Sequence, residues 1–211
     1  MKIDPKAVTG IAGKFFSEMD KAISKTREEG VEYGFALCKG KEGVYITKPE
    51  RGGRYYIAKM AKCEVGDKEI GDFHTHPRGI DKFSCGDIAH AISKGLDVTC
   101  IGYSKKISII KDGEEKYYEN CVKCAVIDQD ASRRAKYGRL FSRLHRIEHK
   151  ISDVIYNRPK DYERYRDIHV KLWNVSEKLF SVAEKNKFIR YKEPIDGAFG
   201  ESRRIVGEKA I

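Results

Sequence analysis

Residues 72–87 read Asp-Phe-His-Thr-His-Pro-Arg-Gly-Ile-Asp-Lys-Phe-Ser-Cys-Gly-Asp, and this stretch predicts a strand that leads into a helix. His74 and His76 are two residues apart in the strand, so both imidazoles leave the same face. Pro77 then turns the chain because it cannot donate to a ladder, and Ser84 opens the helix that carries Asp87. Two nitrogens and one carboxylate oxygen make three metal ligands with a fourth position open, which is typical of catalytic zinc.

The first turn of the helix also has a simpler interpretation. Ser84-Cys85-Gly86-Asp87 fits the Ser-x-x-acid pattern of a capping box, in which a hydroxyl and a carboxylate satisfy unpaired amides. Taken alone, that pattern predicts a helix cap and no metal. The two interpretations of this turn do not exclude each other.

Around this stretch the sequence predicts a mixed α/β domain over residues 1–127. Apolar residues at spacings of three and four predict a helix over 5–27, and a second helix is predicted over 84–94. Strands are predicted over 31–38, 44–47, 54–63, 69–74, 98–103, 106–111 and 115–127, with turns at glycine-containing segments such as Asp112-Gly113.

The pattern changes after residue 127. Apolar residues spaced by three and four predict two helices joined by a break at residues 157–160, hence a C-terminal α-helical hairpin over 128–190. Lys and Arg outnumber Asp and Glu in this segment. This excess of positive charge indicates either binding of nucleic acid or an acidic partner, or simply a solvent-exposed helix face. His145 and His149 share one helix face without the His-Glu-x-x-His order, so we interpret that face as solvent or partner contact. Residues 191–211 are predicted to be a flexible tail.

The composition bounds the class of protein. The chain has 211 residues and a formal net charge of +10, with no apolar run of the roughly 20 residues that span a bilayer and no signal-peptide pattern at its start. These features predict a cytoplasmic protein without membrane association. Its six cysteines are predicted to be buried thiols in a reducing compartment. Cys121-x-x-Cys124 has no second such pair, so two core cysteines are favoured over half a zinc site or a redox pair.

The motif resembles that of a known enzyme family. His74-Thr75-His76-Pro77, six further residues and Ser84-Cys85-Gly86-Asp87 are similar to the His-x-His…Ser-x-x-Asp signature of the JAMM/MPN+ metalloproteases. The resemblance covers about residues 1–127 and implies a JAMM/MPN-like mixed β-sheet flanked by helices. It further implies that His74, His76 and Asp87 bind Zn²⁺, and that Ser84 helps to bind the catalytic water or the oxyanion.

A glutamate on the first strand is the general base that the resemblance implies. The family commonly has Glu-x-x-Gly there, whereas this chain reads Glu29-Gly30-Val31-Glu32-Tyr33-Gly34, with the glycine one residue early. Glu32 is the predicted base because it lies at the start of the strand. Glu29 and Glu28 are the alternatives, and an exposed, non-catalytic Glu32 is the simpler interpretation.

The resemblance implies a zinc-dependent peptidase or isopeptidase. The short segment between the histidines and the helix leaves no room for a long insertion, which favours a ubiquitin-like or small carrier protein, cleaved after its C-terminal glycine, as substrate. One alternative is a non-catalytic scaffold whose basic hairpin, residues 128–190, binds nucleic acid or a partner protein. Another is a hairpin that makes the enzyme a homodimer.

Overall fold

The computed structural model of the chain describes residues 5–53, 60–108, 116–157, 162–192 and 205–207. The secondary structure is mixed α/β, as the sequence predicts. In chain order the elements are α1 (Pro5–Glu29), β1 (Tyr33–Gly40), β2 (Gly43–Ile46), β3 (Glu50–Arg51), β4 (Lys68–Thr75), a 3₁₀ turn (Pro77–Gly79), α2 (Cys85–Ser93), β5 (Val98–Ser108), β6 (Lys116–Ile127), α3 (Ala131–Asn157), α4 (Tyr162–Lys185), β7 (Ile189–Lys192) and β8 (Ile205–Gly207).

The strands form one mixed sheet in the order β2-β1-β4-β5-β6-β7, with β3 paired to β1 and β8 paired to β6. β1 and β4 are antiparallel, and Gly34 lies opposite His74. β4 and β5 are parallel, and α2 lies between them in the chain, since a parallel pair needs a crossover connection. The strand that ends in the two histidines is therefore central in the sheet, with a neighbour on each side.

The chain divides into two compact units, and the first contains the described residues of 1–82, 96–126 and 191–211. Its core is formed by one face of α1 against the sheet, where Met19 and Ile23 pack with Phe35 and Phe73. The rings of Phe35 and Phe73 stack with centroids 4.9 Å apart. A Cβ atom on Gly102 would lie 2.6 Å from both Ile23 and Phe73, so the sheet carries no side chain there.

The second unit contains the described residues of 83–95 and 127–190, which form α2, α3 and α4. The predicted helices of the hairpin are present as α3 and α4. They are antiparallel, because residues later in α3 contact residues earlier in α4. Phe141 meets Phe180 with ring centroids 5.1 Å apart, and Ser176 Oγ donates to Glu148 Oε1 over 2.6 Å. α3 also contacts α2, since Arg134 Nη2 donates to the Ala91 carbonyl over 3.3 Å.

Several predicted boundaries differ from the structure. The predicted strands 98–103 and 106–111 are one strand, β5, because Ser104 and Lys105 keep pairing with Asn120 and Glu119. Residues 60–63 of the predicted strand 54–63 are not in a strand, and residues 54–59 lie outside the described residues. The described residues also leave out the predicted turn at 112–113 and most of the hairpin turn at 157–160. Of the predicted tail, they leave out 193–204 and 208–211. The rest of the tail, 191–192 and 205–207, is in strands.

The prediction of six unpaired thiols is wrong. Cys38 is bonded to Cys63, and Cys100 is bonded to Cys124, which leaves Cys85 and Cys121 as thiols. Cys100 and Cys124 lie directly opposite each other on β5 and β6, a proximity that sequence spacing does not reveal. The Cys121-x-x-Cys124 pair is therefore split between a thiol and a disulfide, and it offers no pair of thiolates for a metal. Within the described residues, no helix combines the length and apolar character needed to cross a membrane.

Candidate metal centre

The end of β4 places both histidine side chains on one face of the strand. Thr75, between them, points the other way, and its Oγ1 accepts a hydrogen bond from the Tyr33 amide over 2.8 Å. The same hydroxyl contacts the hydroxyl of Thr26 on α1. The His76 amide donates to the Gly102 carbonyl over 2.7 Å and continues the pairing with β5. These bonds fix the backbone from which the two imidazoles project.

The two imidazoles meet through their Nε2 atoms, which are 3.1 Å apart. Two nitrogens on a tetrahedral zinc, with Zn–N distances of about 2.0–2.1 Å, lie about 3.3 Å apart. On the other side of its ring, Nδ1 of His76 lies 3.2 Å from the Ile80 carbonyl. A proton on Nδ1 donated to that carbonyl leaves the Nε2 lone pair to bind a metal. His74 and His76 are 7% and 9% exposed, so both imidazoles lie in a largely water-excluded position.

The turn after the histidines passes close to β5. Pro77 begins a 3₁₀ turn that ends at Gly79. Gly79 has φ 70°, and a Cβ atom there would lie 2.6 Å from the Ser104 carbonyl oxygen. A side chain at this position would be both strained and obstructed, so glycine permits the tight reversal that directs the chain away from the sheet.

The first turn of α2 forms the predicted capping box. Ser84 Oγ accepts from the Asp87 amide over 3.1 Å, and the Ser84 amide donates to Asp87 Oδ2 over 2.7 Å. One carboxylate oxygen is thereby held by the cap, while the carboxylate has lone pairs left for a further partner. Ser84 itself is exposed, and its hydroxyl proton is not used by the cap.

The three predicted ligands are brought together. One ligand atom each from His74, His76 and Asp87 lies within 4.8 Å of the other two. Two neutral nitrogens and a carboxylate oxygen are a donor set that zinc accepts, and three protein ligands leave a position for water or substrate. The residues present therefore fit the metal that the motif implies.

Glu32, the predicted base, is buried immediately before β1. It is 9% exposed, and its backbone bonds to the segment that follows β3, with its amide donating to Gly53 and its carbonyl accepting from Gly52, each over 2.8 Å. Gly34 lies opposite His74 in the register. The β1–β4 register ends at this pair. In the residues beyond it, the Tyr33 amide donates to the Thr75 hydroxyl over 2.8 Å, and the Glu32 backbone bonds to Gly52 and Gly53. The interpretation of Glu32 as an exposed strand residue is wrong.

Glu29 and Glu28, the alternatives, are both exposed. Glu29 is engaged elsewhere, because it accepts from Arg51 Nε over 2.8 Å and from the Tyr33 hydroxyl over 2.8 Å. The hydrogen bonds from Arg51 and then Tyr33 lower the pKa of Glu29 below its ordinary value. A carboxylate stabilised in this way is a weaker proton acceptor. Of the three glutamates, Glu32 is the buried one.

Sequence reasoning missed the side chains that support the start of α2. A Cβ atom on Gly86 would lie 2.8 Å from Nδ1 of His145, so the His145 ring packs directly on the helix backbone beside Asp87. Burial raises the pKa of the Cys85 thiol to about 12 and keeps it protonated. His149 pairs with Asp153 over 3.1 Å at the surface. The spacing of His145 and His149 gave no signal of the Gly86 contact, which depends on how α2 and α3 pack.

Comparison of the chain with models of protein families, with characterised protein sequences and with solved structures gave no match. The function proposed next therefore depends on the residues of the metal centre and their geometry.

Proposed function

We propose that this chain is a zinc-dependent peptidase or isopeptidase of the JAMM/MPN+ type. The observation that carries the proposal is the convergence of His74, His76 and Asp87, whose ligand atoms lie within 4.8 Å of one another. The pair of Nε2 atoms 3.1 Å apart supports it, because this spacing is close to that of two nitrogens on one tetrahedral zinc.

His74, His76 and Asp87 would hold the zinc, which would supply a bound water with a pKa lowered to about 7 and polarisation of the scissile carbonyl. Glu32 then acts as the general base, accepting a proton from the attacking water and passing it to the leaving amine. Its burial at 9% exposure supports this role, because a carboxylate with little access to bulk water holds the transferred proton within the site.

Ser84 supplies the donor for the developing oxyanion. Its Oγ accepts from the Asp87 amide as the helix cap, and the proton of the same hydroxyl is directed to the carbonyl oxygen of the substrate. A donor aimed at the oxyanion stabilises the transition state more than the ground state. The cap fixes the position of Ser84, which reduces the reorganisation needed during the reaction.

The proposed substrate is a ubiquitin-like or small carrier protein, cleaved at the amide bond that follows its C-terminal glycine. The compact segment between the histidines and α2 supports this class, since a turn at Pro77–Gly79 occupies part of it and no long insertion is present to grip a folded chain. A fluorogenic amide on the C-terminus of such a protein tests it. We expect cleavage that a chelator stops and added zinc restores.

Metal analysis tests the centre itself. We expect about one zinc per chain in freshly purified protein, and loss of that zinc in His76→Ala and in Asp87→Ala. His169→Ala is the matched control, because His169 is an exposed histidine on α4. Retention of zinc in both His76→Ala and Asp87→Ala, or a zinc-free wild type purified without chelator, would contradict the proposal.

A further inference from the structure

The outer face of α3 carries a line of cations that the proposed catalytic function does not use. Basic residues recur at spacings of three and four over about 21 Å of helix, at 1.5 Å per residue. With 3.6 residues per turn, they fall within an arc of about 80°. All of them are exposed: Lys136, Arg139, Arg143, Arg146 and Lys150. We name these five residues the α3 basic stripe.

The stripe faces away from the hairpin partner. Tyr137 and Phe141, on the opposite side of α3, are buried, and Phe141 meets Phe180 of α4. The stripe is therefore not required for packing within the second unit. Side chains on this face can reach a partner without any rearrangement of the helices.

The charge of the stripe is not compensated by acids on its own helix. α3 has two acidic residues, and both are engaged elsewhere: Glu148 accepts from Ser176 and Asp153 pairs with His149. Within the described part of the chain, Arg139, Arg143 and Lys150 form no ion pair. The other long helices differ, since Lys21 pairs with Glu18 on α1 and Arg166 with Glu163 on α4.

Like charges three and four residues apart on a helix repel one another and destabilise it. A helix that needed only a soluble outer face would alternate the signs of its charges, as α4 does. Five cations in line, without acids between them, instead match a linear polyanion. The phosphates of a nucleic-acid duplex form such a line, with about one negative charge per 1.7 Å of helix axis in B-DNA.

We propose that the α3 basic stripe binds the phosphate backbone of a nucleic-acid duplex. The stripe contacts phosphates without base-specific hydrogen bonds, so binding is independent of base sequence and strongly dependent on salt. Neither zinc nor the catalytic residues take part. Failure of the proposed peptidase activity would leave this inference unaffected, and the reverse also holds.

The test is fluorescence anisotropy of full-length protein with a labelled 24-base-pair duplex, titrated between 50 and 200 mM salt. If all five cations contact phosphates, log K falls with log salt at a slope of about −4.5, roughly a 500-fold loss of affinity over this range. The triple variant Arg139→Gln, Arg143→Gln, Arg146→Gln should have a slope of about −1.8, and a circular dichroism spectrum that matches wild type.

A second triple variant, Lys39→Gln, Lys41→Gln, Lys48→Gln, removes the same charge from exposed positions outside α3. It should keep the wild-type slope, and chelator-treated protein should also bind as before. Duplex DNA and duplex RNA arms identify which duplex is preferred, and either preference supports the proposal. Equal loss in both triple variants, a wild-type slope near zero, or tighter binding to poly-glutamate or to anionic vesicles than to either duplex would overturn it.

Discussion

Replacing Glu32 by Gln should abolish most of the proposed peptidase activity without removing the proposed zinc. Gln has the shape of Glu but cannot accept and return a proton, so the substitution isolates the role of a base. Glu32 is buried two residues before Gly34, which pairs with His74 at the end of the β1–β4 ladder. In the proposed mechanism the carboxylate of Glu32 accepts the proton of the attacking water.

The expected size of the loss follows from the chemistry of a general base. Positioned acid–base catalysis contributes about 10²–10⁴-fold to rate, which corresponds to about 2.7–5.4 kcal/mol of transition-state stabilisation. Glu29→Gln should change kcat/KM less than threefold, because Glu29 is exposed and engaged with Arg51 and Tyr33. Glu28→Gln, another exposed glutamate on α1, is the matched control.

The assay is kcat/KM on a fluorogenic C-terminal amide of a ubiquitin-like protein, measured from pH 5 to 9 beside the zinc content. Glu32→Gln should keep about one zinc per chain and lose the acidic limb of the pH profile, which reports ionisation of the base. Activity within threefold of wild type in Glu32→Gln would refute the assignment. An equal loss in Glu29→Gln would transfer it to the other glutamate.

Two further outcomes concern α2 and the cysteines. Ser84→Ala should lower the free energy of unfolding by about 1 kcal/mol through loss of the cap and lower kcat/KM by about 10²–10³-fold through loss of the oxyanion donor. Ser84→Asn should recover the stability but not the rate. An unchanged kcat/KM in Ser84→Ala would remove Ser84 from the mechanism. Denatured protein without reductant should show two reactive thiols, Cys85 and Cys121, and six would contradict the two disulfides. In folded protein Cys121 should react first, because burial raises the pKa of Cys85 to about 12, so alkylation of Cys85 should accelerate only as the pH rises toward that value.

The sequence predicted those parts of the fold that local patterns determine. The helix over 5–27 and the capping box at Ser84 depend on residues within one or two turns of each other, and the structure has both. The grouping of His74, His76 and Asp87 was also predictable, since His74 and His76 share a strand face by alternation and Asp87 follows a short turn. Each of these inferences needs only the period of a strand or helix and the chain between them.

The features that the sequence did not predict depend on long-range register. Cys100 and Cys124 are bonded because β5 and β6 pair in a register that places them opposite each other. The strand break predicted between 103 and 106 is absent for the same reason, since the ladder continues through polar residues. The choice among three glutamates required the burial of Glu32 and the contact of Glu29 with Arg51. Neither the pairing partner nor the burial of a residue is encoded in its immediate neighbours.

The four residues that open α2 are each constrained by a different contact, and this explains their order. Ser84 caps the helix, and Cys85 is buried beneath it. Gly86 has no side chain because the His145 ring occupies the space where a Cβ atom would lie. Asp87 accepts from the Ser84 amide, which fixes the carboxylate against the helix start. As a ligand of the proposed centre, Asp87 would lose little conformational entropy on binding a metal, because its helix cap and the packing of α3 already restrict its freedom. The Ser-x-x-Asp spacing therefore initiates the helix through two hydrogen bonds, and the same two bonds would orient the carboxylate of the proposed ligand.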